Sequence, residues 1–375
     1  MYMKKYPCVY MRGGTSKAVI FHEKDLPEDR TKWDDLFLKV MGTPDVKQID
    51  GMGGAVSSTS KIAIIAPADD RDDVDVYYTF RQVDIKISNV DHKPNCGNIS
   101  SAVGPFAIDE GLVPAVEPVT VVRVLNTNTN KIIEEHVRVK DGHAMVYGDE
   151  EIRGVPGTGS RIDMYFMDPG GAATGKLFPT GKRREIFEVP GYDAVEVSVI
   201  DCSATIVCIN ASDLGIKGTE LVELNANQDV MEHIERIRCI AAERCGFVNH
   251  WEEARTKSTS LPKVCIFSAP QDYVDMDGNH IPAETMDICV RAISVGMLHQ
   301  AYPMTVTVGT GAVALLEGTV VNELVAPKPG QTTVRLGHAS GVTAVDAFIE
   351  GDRVIKGGVV RTARRIMDGY VYVRE

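Results

Sequence analysis

A chain of 375 residues exceeds what one ordinary hydrophobic core holds together, so two domains of similar size are expected. Its 44% hydrophobic and 25% charged residues are those of a globular protein in water, and a formal net charge of −12 argues against nucleic acid or an anionic membrane as partner. No apolar run is long enough to span a bilayer, and Met1-Tyr2-Met3-Lys4-Lys5-Tyr6-Pro7-Cys8 lacks the apolar core of a signal peptide, so a cytoplasmic location is expected.

Short β-type runs dominate the first half. Cys8-Val9-Tyr10-Met11 leads into Arg12-Gly13-Gly14-Thr15-Ser16-Lys17, a strand end opening into a glycine turn with hydroxyls and two cations. Ala18-Val19-Ile20-Phe21 follows as a second strand, and a helical pattern runs from about Arg30 to Met41. A Gly- and Ser-rich stretch then carries Ser57-Ser58-Thr59-Ser60-Lys61 into the apolar strand Ile62-Ala63-Ile64-Ile65. Hydroxyls beside a Lys at the mouth of a buried strand suit an anion, although a flexible loop explains them as well. Val74 to Phe80 reads as a strand, and the alternation of Val83-Asp84-Ile85-Lys86-Ile87 predicts another with one solvated face.

The segment Asn95-Cys96-Gly97-Asn98-Ile99-Ser100 is the most informative. It sets a thiol ahead of small and apolar residues that read as the start of a buried helix, with Pro105 either in its first turns or kinking it. Unpaired amides of a first helical turn present partial positive charge to that sulfur. Gly97 lets a ligand approach backbone N–H groups able to receive a carboxylate. A base and an anion cradle thus coincide. Alone, Cys96 reads equally well as a structural thiol at a turn; the neighbouring motifs favour chemistry.

Pro169 to Gly181 is rich in Gly and Pro and is the expected crossing between domains. Beyond it, Val195 to Ile200, Ala204 to Ile209 and Val264 to Phe267 read as strands, and Val230 to Cys245 and Glu284 to Leu298 carry helical spacing. Two β-rich halves, each with helix near its middle, suggest a duplicated α+β architecture. The eight Cys contain no C-x-x-C pair and the nine His no zinc spacing, so no metal is expected. The nearest approach to a phosphate loop, Gly170 to Lys176, is followed by Leu177 where a metal-binding hydroxyl belongs. Gly309-Thr310-Gly311-Ala312 is a weak dinucleotide fingerprint, and there is no G-x-S-x-G elbow.

Taken in order, Met11 to Lys17, the Gly-rich run into Ser58-Thr59-Ser60-Lys61, and Asn95 to Ser100 resemble the 2-methylaconitate isomerase family, which includes 3-methylitaconate Δ-isomerase and 4-oxalomesaconate tautomerase. The likeness continues through Leu177-Phe178-Pro179-Thr180-Gly181, Ala211-Ser212-Asp213-Leu214-Gly215 and Gly337 to Gly341, covering most of the chain. It implies an α+β fold of two pseudo-symmetric diaminopimelate epimerase-like domains, each wrapping β-structure around a central helix, divided here as 1–182 and 183–375 with the active site in the cleft between them. Epimerases of that fold supply one catalytic Cys from each half. Here Thr305 to Ala312 offers a glycine-rich turn without Cys, which disfavours a two-thiol racemase.

The resemblance instead implies that Cys96 and Lys61 carry protons in a 1,3-allylic shift within an unsaturated di- or tricarboxylate, with no cofactor and no metal. Which of the two abstracts and which delivers stays open. Ser16, Lys17, Ser60, Asn98, Ser100 and His299 are the candidates for holding substrate carboxylates, and local turn or cap hydrogen bonding accounts for each equally well. The expected partner is a small polycarboxylate; a homo-oligomer stays open. The competing readings are a cis/trans isomerase of an aconitate-like acid, an oxalomesaconate tautomerase, and an inactive carboxylate-binding relative, which would need the anion pocket but not the thiol.

Overall fold

A two-residue turn starts the first unit of the structure, a computed structural model that describes residues 3–92, 95–294, 296–300 and 302–374. Strands Lys4–Gly13 (β1) and Ser16–His22 (β2) pair antiparallel, and Gly13 opposite Ser16 leaves only Gly14 and Thr15 to reverse the chain. Gly14 adopts φ +47°, a conformation open to a residue without Cβ. Lys61–Pro67 (β3) lies parallel to β2, Val76–Val83 (β4) antiparallel to β3, and the short Val90–Asp91 (β5) antiparallel to β4. Val119–Asn126 (β6) runs parallel to β4, and Lys131–Lys140 (β7) antiparallel to β6.

Parallel neighbours need a crossover, and both crossovers here contain helix. Between β2 and β3 runs Trp33–Met41 (α1), with Asp34 and Asp35 in its first turn and Gly42 at φ +74° closing it. It buries Trp33, Leu36, Phe37, Val40 and Met41 against Val19, Phe21, Ile62 and Ile64 on one face of the sheet. Between β5 and β6 run Gly97–Ser100 (α2) and Val103–Asp109 (α3), almost wholly buried. They cover the opposite face, so the strands between are apolar on both sides and read as near-continuous runs.

The chain divides into two compact units, Met1–Tyr165 with Val360–Glu375, and Phe166–Val359. The division falls at 165/166 rather than 182/183, and the strand Ala363–Val373 belongs with the first unit because it pairs along all of β1, from Lys4 opposite Val373 to Gly13 opposite Ala363. The Gly/Pro passage from Pro169 to Gly181 lies within the second unit, where the Asp201 carboxylate accepts the N–H groups of Ala173 and Thr174 at 2.8 and 2.7 Å.

The second unit repeats the first. Val195–Cys202 is antiparallel to Ala204–Asn210, which is parallel to Lys263–Ser268. That strand is antiparallel to Ile288–Ser294, which is parallel to Thr333–His338, itself antiparallel to Gly341–Glu350. The alternation of pairings from β1 to β7 is the same. The helix Gln228–Arg244 stands in chain order where α1 stands, and Met304–Leu315 where α2 and α3 stand. Each unit thus wraps β-structure around a buried helical segment, the duplicated α+β plan read from the sequence.

Four local expectations change. Val83 ends β4, and the chain bends after it: the Asp84 carboxylate takes the Lys86 N–H at 3.0 Å, and Ile87 stays 60% exposed, so the alternating run is no strand. Glu284 to Leu298 is not a helix but centres on the strand Ile288–Ser294, buried on both faces between two neighbours. A strand buried all round carries apolar residues at every spacing, including the helical one. Conversely, Thr305 to Ala312 is not a turn but lies in the helix Met304–Leu315. Its glycines admit close packing: a Cβ on Gly309 would lie 2.8 Å from the Cys202 carbonyl oxygen. The helix expected from Asn98 is broken into α2 and α3, with Pro105 in the first turn of α3.

Glu135 on β7 lies fully buried beneath α3. Its Oε2 accepts the Gly104 N–H at 2.9 Å, while Oε1 has no hydrogen-bond partner among the described residues. Burial pushes this carboxyl well above the usual carboxylate range, against a smaller lowering by Gly104. The folded state then holds its proton more tightly than the unfolded chain does. The stability associated with Glu135 is therefore full below the unfolded pKa and is lost as pH rises towards the folded one. Glu135→Gln keeps the acceptor for Gly104 and removes the charge. Urea unfolding at about pH 5 and about pH 8 is expected to show the variant gaining on the parent at the higher pH, and no gain would contradict this account.

Candidate active site

Alternation along β2 sorts the candidate residues onto two faces. Gly13 and Ser16 oppose one another and face α2: a Cβ on Gly13 would lie 2.4 Å from the Asn98 carbonyl oxygen. Ser16 is buried there. Lys17 points the other way, beside Arg12 and over the ring of Tyr10 at 5.5 Å. Ser16 and Lys17 therefore do not converge. The Arg12 guanidinium also lies on that side, where its Nη1 ties the turn by donating to Gly14 O and Thr362 O, both at 2.9 Å.

Lys61 opens β3 on the α2 side, directly opposite Gln82 of β4. It is buried, and its ammonium donates to Gln82 Oε1 at 2.5 Å and stands 5.1 Å over the ring of Phe80. Gln82 is fixed in turn, its Nε2 donating to the carbonyls of Ser57 and Ser60 at 3.1 and 3.0 Å. Ser60 is fully buried, and its hydroxyl bonds Gln48 Oε1 at 2.7 Å and Val56 O at 2.9 Å. That hydroxyl holds the Gly-rich loop in shape rather than facing solvent.

Cys96 is the N-cap residue of α2, extended at φ −116° and ψ 96°, and half-buried. Because α2 is only four residues long, little aligned backbone stands behind the sulfur, and the field expected from a long buried helix is reduced. A network beneath it fixes the turn. Ser100 donates its backbone N–H to Cys96 O at 2.9 Å and its hydroxyl to the same oxygen at 3.1 Å. Asn126, fully buried at the end of β6, donates to Asn95 Oδ1 at 3.0 Å.

Tyr78 lies on the same face of β4 as Phe80 and Gln82. Burial pushes its phenol well above the usual range, and the charge of Cys96 adds to this. Ser100 lies close enough to ease the effect, but its hydroxyl is directed to Cys96 O, and the Tyr78 oxygen has no well-formed partner among the described residues. One face of β4 thus carries Lys61 over Phe80 and Gln82, and the same face carries Tyr78, on which the charge of Cys96 acts, one to two pleats further along the strand.

Asn98 completes the group. Its Nδ2 donates to Thr15 Oγ1 at 3.0 Å, and its Oδ1 accepts from Arg361 Nε at 3.3 Å. Gln82, Tyr78, Asn126 and Arg361 escaped the sequence reading because their roles follow from cross-strand register and chain reversal, which leave no local pattern. His299 belongs to the second unit, where its backbone N–H donates to Ala292 O at 2.8 Å. Among the described residues, no three His, Cys, Asp or Glu side chains gather as metal ligands, and no helix is long and apolar enough to cross a membrane.

A sequence profile described as PrpF protein matches residues 3–374. The chain is 43% identical over 373 residues to 3-methylitaconate isomerase of Eubacterium barkeri, covering 99% of this chain and 98% of that one. It is 39% identical over 387 residues to 2-methyl-aconitate isomerase of Shewanella oneidensis, covering 98% and 97%. A crystal structure of methylitaconate-delta-isomerase superposes with a TM-score of 0.95 at 42% identity, over 100% of this chain and 96% of that one. A hydroxyproline epimerase from Agrobacterium vitis, at TM-score 0.52 and 10% identity over 100% and 95% of the two chains, shares the fold alone.

Of the cysteines, Cys96 and Cys245 are the two half-buried ones, and burial pushes the Cys245 thiol up to about 12. Limited iodoacetamide is expected to label Cys96 first, so that mass spectrometry of Cys96→Ser shows one fewer fast adduct. Equal fast labelling of parent and variant would contradict the exposure described here.

Proposed function

The chain belongs to the PrpF protein family, and we propose that it is a cofactor-independent isomerase that moves a C=C bond by a 1,3-allylic proton shift in a small unsaturated di- or tricarboxylate of the methylitaconate or methylaconitate kind. The observation that carries this reading is the full-length likeness to a protein named 3-methylitaconate isomerase. The site supplies a mechanism for it.

The allylic C–H of such an acid is weakly acidic because the adjacent carboxylate is already negative. Removing the proton spreads a further charge over that carboxylate and the double bond as a dienolate. Returning a proton two carbons away completes the shift. Two proton carriers on one face of the site, with cations and amides around the carboxylate, meet that need. Lys61 and Cys96 take these roles, over one face of β4. Gln82 aims the Lys61 amine, and the Asn95–Asn126 contact fixes the backbone of Cys96. Ser16 and Asn98 hold carboxylate on the same side. Ser60 and Ser100 act through the loop and turn they fix, and Lys17, on the far face of β2, contributes charge at a distance.

Deuterium incorporation followed by proton NMR tests the reading with methylitaconate, an aconitate-type tricarboxylate and oxalomesaconate in heavy water. An allylic position of at least one acid is expected to exchange. Cys96→Ser and Lys61→Gln are each expected to slow it by about 10²–10⁴-fold, the usual contribution of a positioned proton carrier. Folded protein that exchanges none of the acids yet binds them would favour a carboxylate-binding protein instead.

A further inference from the structure

Several arginines of this protein pair with acids: Arg365 with Glu110, Arg335 with Asp287 and Arg123 with Asp75. Arg361 does not. It closes the strand Arg353–Arg361, and its Nη1 donates to Val360 O at 2.7 Å and its Nε to Asn98 Oδ1 at 3.3 Å. Among the described residues it meets no carboxylate, and its Nη2 has no protein partner. Arg291, also buried without an acid, is a useful contrast. Carbonyl oxygens of Glu220, Val290, Gly337 and Thr219 satisfy its Nε, Nη1 and Nη2. Arg291 is complete; Arg361 keeps an edge open.

The surroundings fix where that edge lies. A Cβ on Gly14 would stand 2.3 Å from Asn98 Oδ1 and 3.2 Å from Arg361 Cδ, so both side chains are seated on the turn. Asn98 is held on its oxygen by Arg361 and on its nitrogen by Thr15, which sets the amide orientation. Only Gly97 separates Asn98 from Cys96 in the chain. The Arg361 side chain retains some surface, yet surrounding protein pulls its pKa down to about 10 by desolvation. The group stays cationic at neutral pH while lacking the anion that would offset its lost hydration. A protein with a formal net charge of −12 has acids enough to pair it, so its open edge is suited to an anion that arrives from solution.

We propose that Arg361 is a substrate-binding residue that clamps one carboxylate of the polycarboxylate beside Cys96, with Asn98 as the positioning residue that orients the guanidinium. The proposal rests on the isomerase reading for its substrate class but not for its test, which includes a readout that needs no turnover.

Arg361→Gln and Arg361→Lys are compared with the parent in two assays. The first is the KM and kcat of deuterium exchange with whichever acid the parent turns over. The second is the acid concentration that half-protects Cys96 from iodoacetamide, together with the alkylation rate when no acid is present. Arg361→Gln is expected to raise KM and the half-protecting concentration together by about tenfold to a hundredfold, the range for losing a hydrogen-bonded charge pair. Arg361→Lys should recover part of that loss, and unprotected alkylation should stay unchanged. Unchanged KM and protection in either folded variant would overturn the proposal. So would altered unprotected alkylation with unchanged protection, which marks a purely structural role. If the parent turns over none of the acids, the isomerase reading fails, and half-protection of Cys96 by the same acids still decides whether Arg361 binds them.

Discussion

The first unit depends on how closely the β1–β2 turn lies against α2. Gly13 and Gly14 meet Asn98 with no room for a Cβ, and this contact sets the height of the whole corner. Because the turn sits there, the Gly14 N–H reaches Thr362 O at 2.9 Å and draws in the end of the chain with Arg361. Because α2 sits there, Cys96 stands at the level of β4, where Lys61 is aimed by Gln82. Larger side chains at either glycine would part the turn from the helix by more than the few tenths of an ångström that close-packed protein gives up readily. The glycines are thus a packing requirement before they are a ligand cradle.

Duplication explains much of the rest. Lys263 opens its strand in the second unit as Lys61 opens β3 in the first, and each donates to the residue opposite it on the next strand, Ser294 at 2.9 Å and Gln82 at 2.5 Å. Burial pulls Lys263 below the ordinary lysine range. The likeness stops at the helix that follows. Where α2 begins after Cys96, the helix Met304–Leu315 begins after Pro303. Two thiols facing one carbon suit racemisation, whereas one thiol and one amine of different chemistry suit transfer between two carbons. The lysine position occurs in both units, and the thiol in one.

The electrostatics are local rather than global. The net negative charge gives no general attraction for a polycarboxylate, so on the proposed reading affinity comes from cations whose own hydration is already reduced. Lys61, buried with only a neutral amide and an aromatic ring as described partners, is one such group. Arg361, with an amide and a carbonyl, is another. Neutral partners hold these cations in place without cancelling their charge.

By itself the sequence determined the duplicated α+β plan, because strands buried on both faces must be written in apolar residues, and it offered Cys96 and Lys61 as candidates, because reactive side chains beside Gly- and Ser-rich turns are a local pattern that the family resemblance then joined as a pair. It misjudged Glu284 to Leu298 for the same reason that it succeeded elsewhere: a strand buried all round satisfies every apolar period at once. It misjudged Thr305 to Ala312 because glycine signals both turns and close helix packing. Tertiary structure alone decided that Ser16 and Lys17 part company, since strand alternation acts only once a face has been assigned. It alone joined Gln82 to Lys61, and residue 361 to residue 98, because cross-strand register and the return of the C-terminal strand along β1 are long-range pairings that no local window of sequence contains.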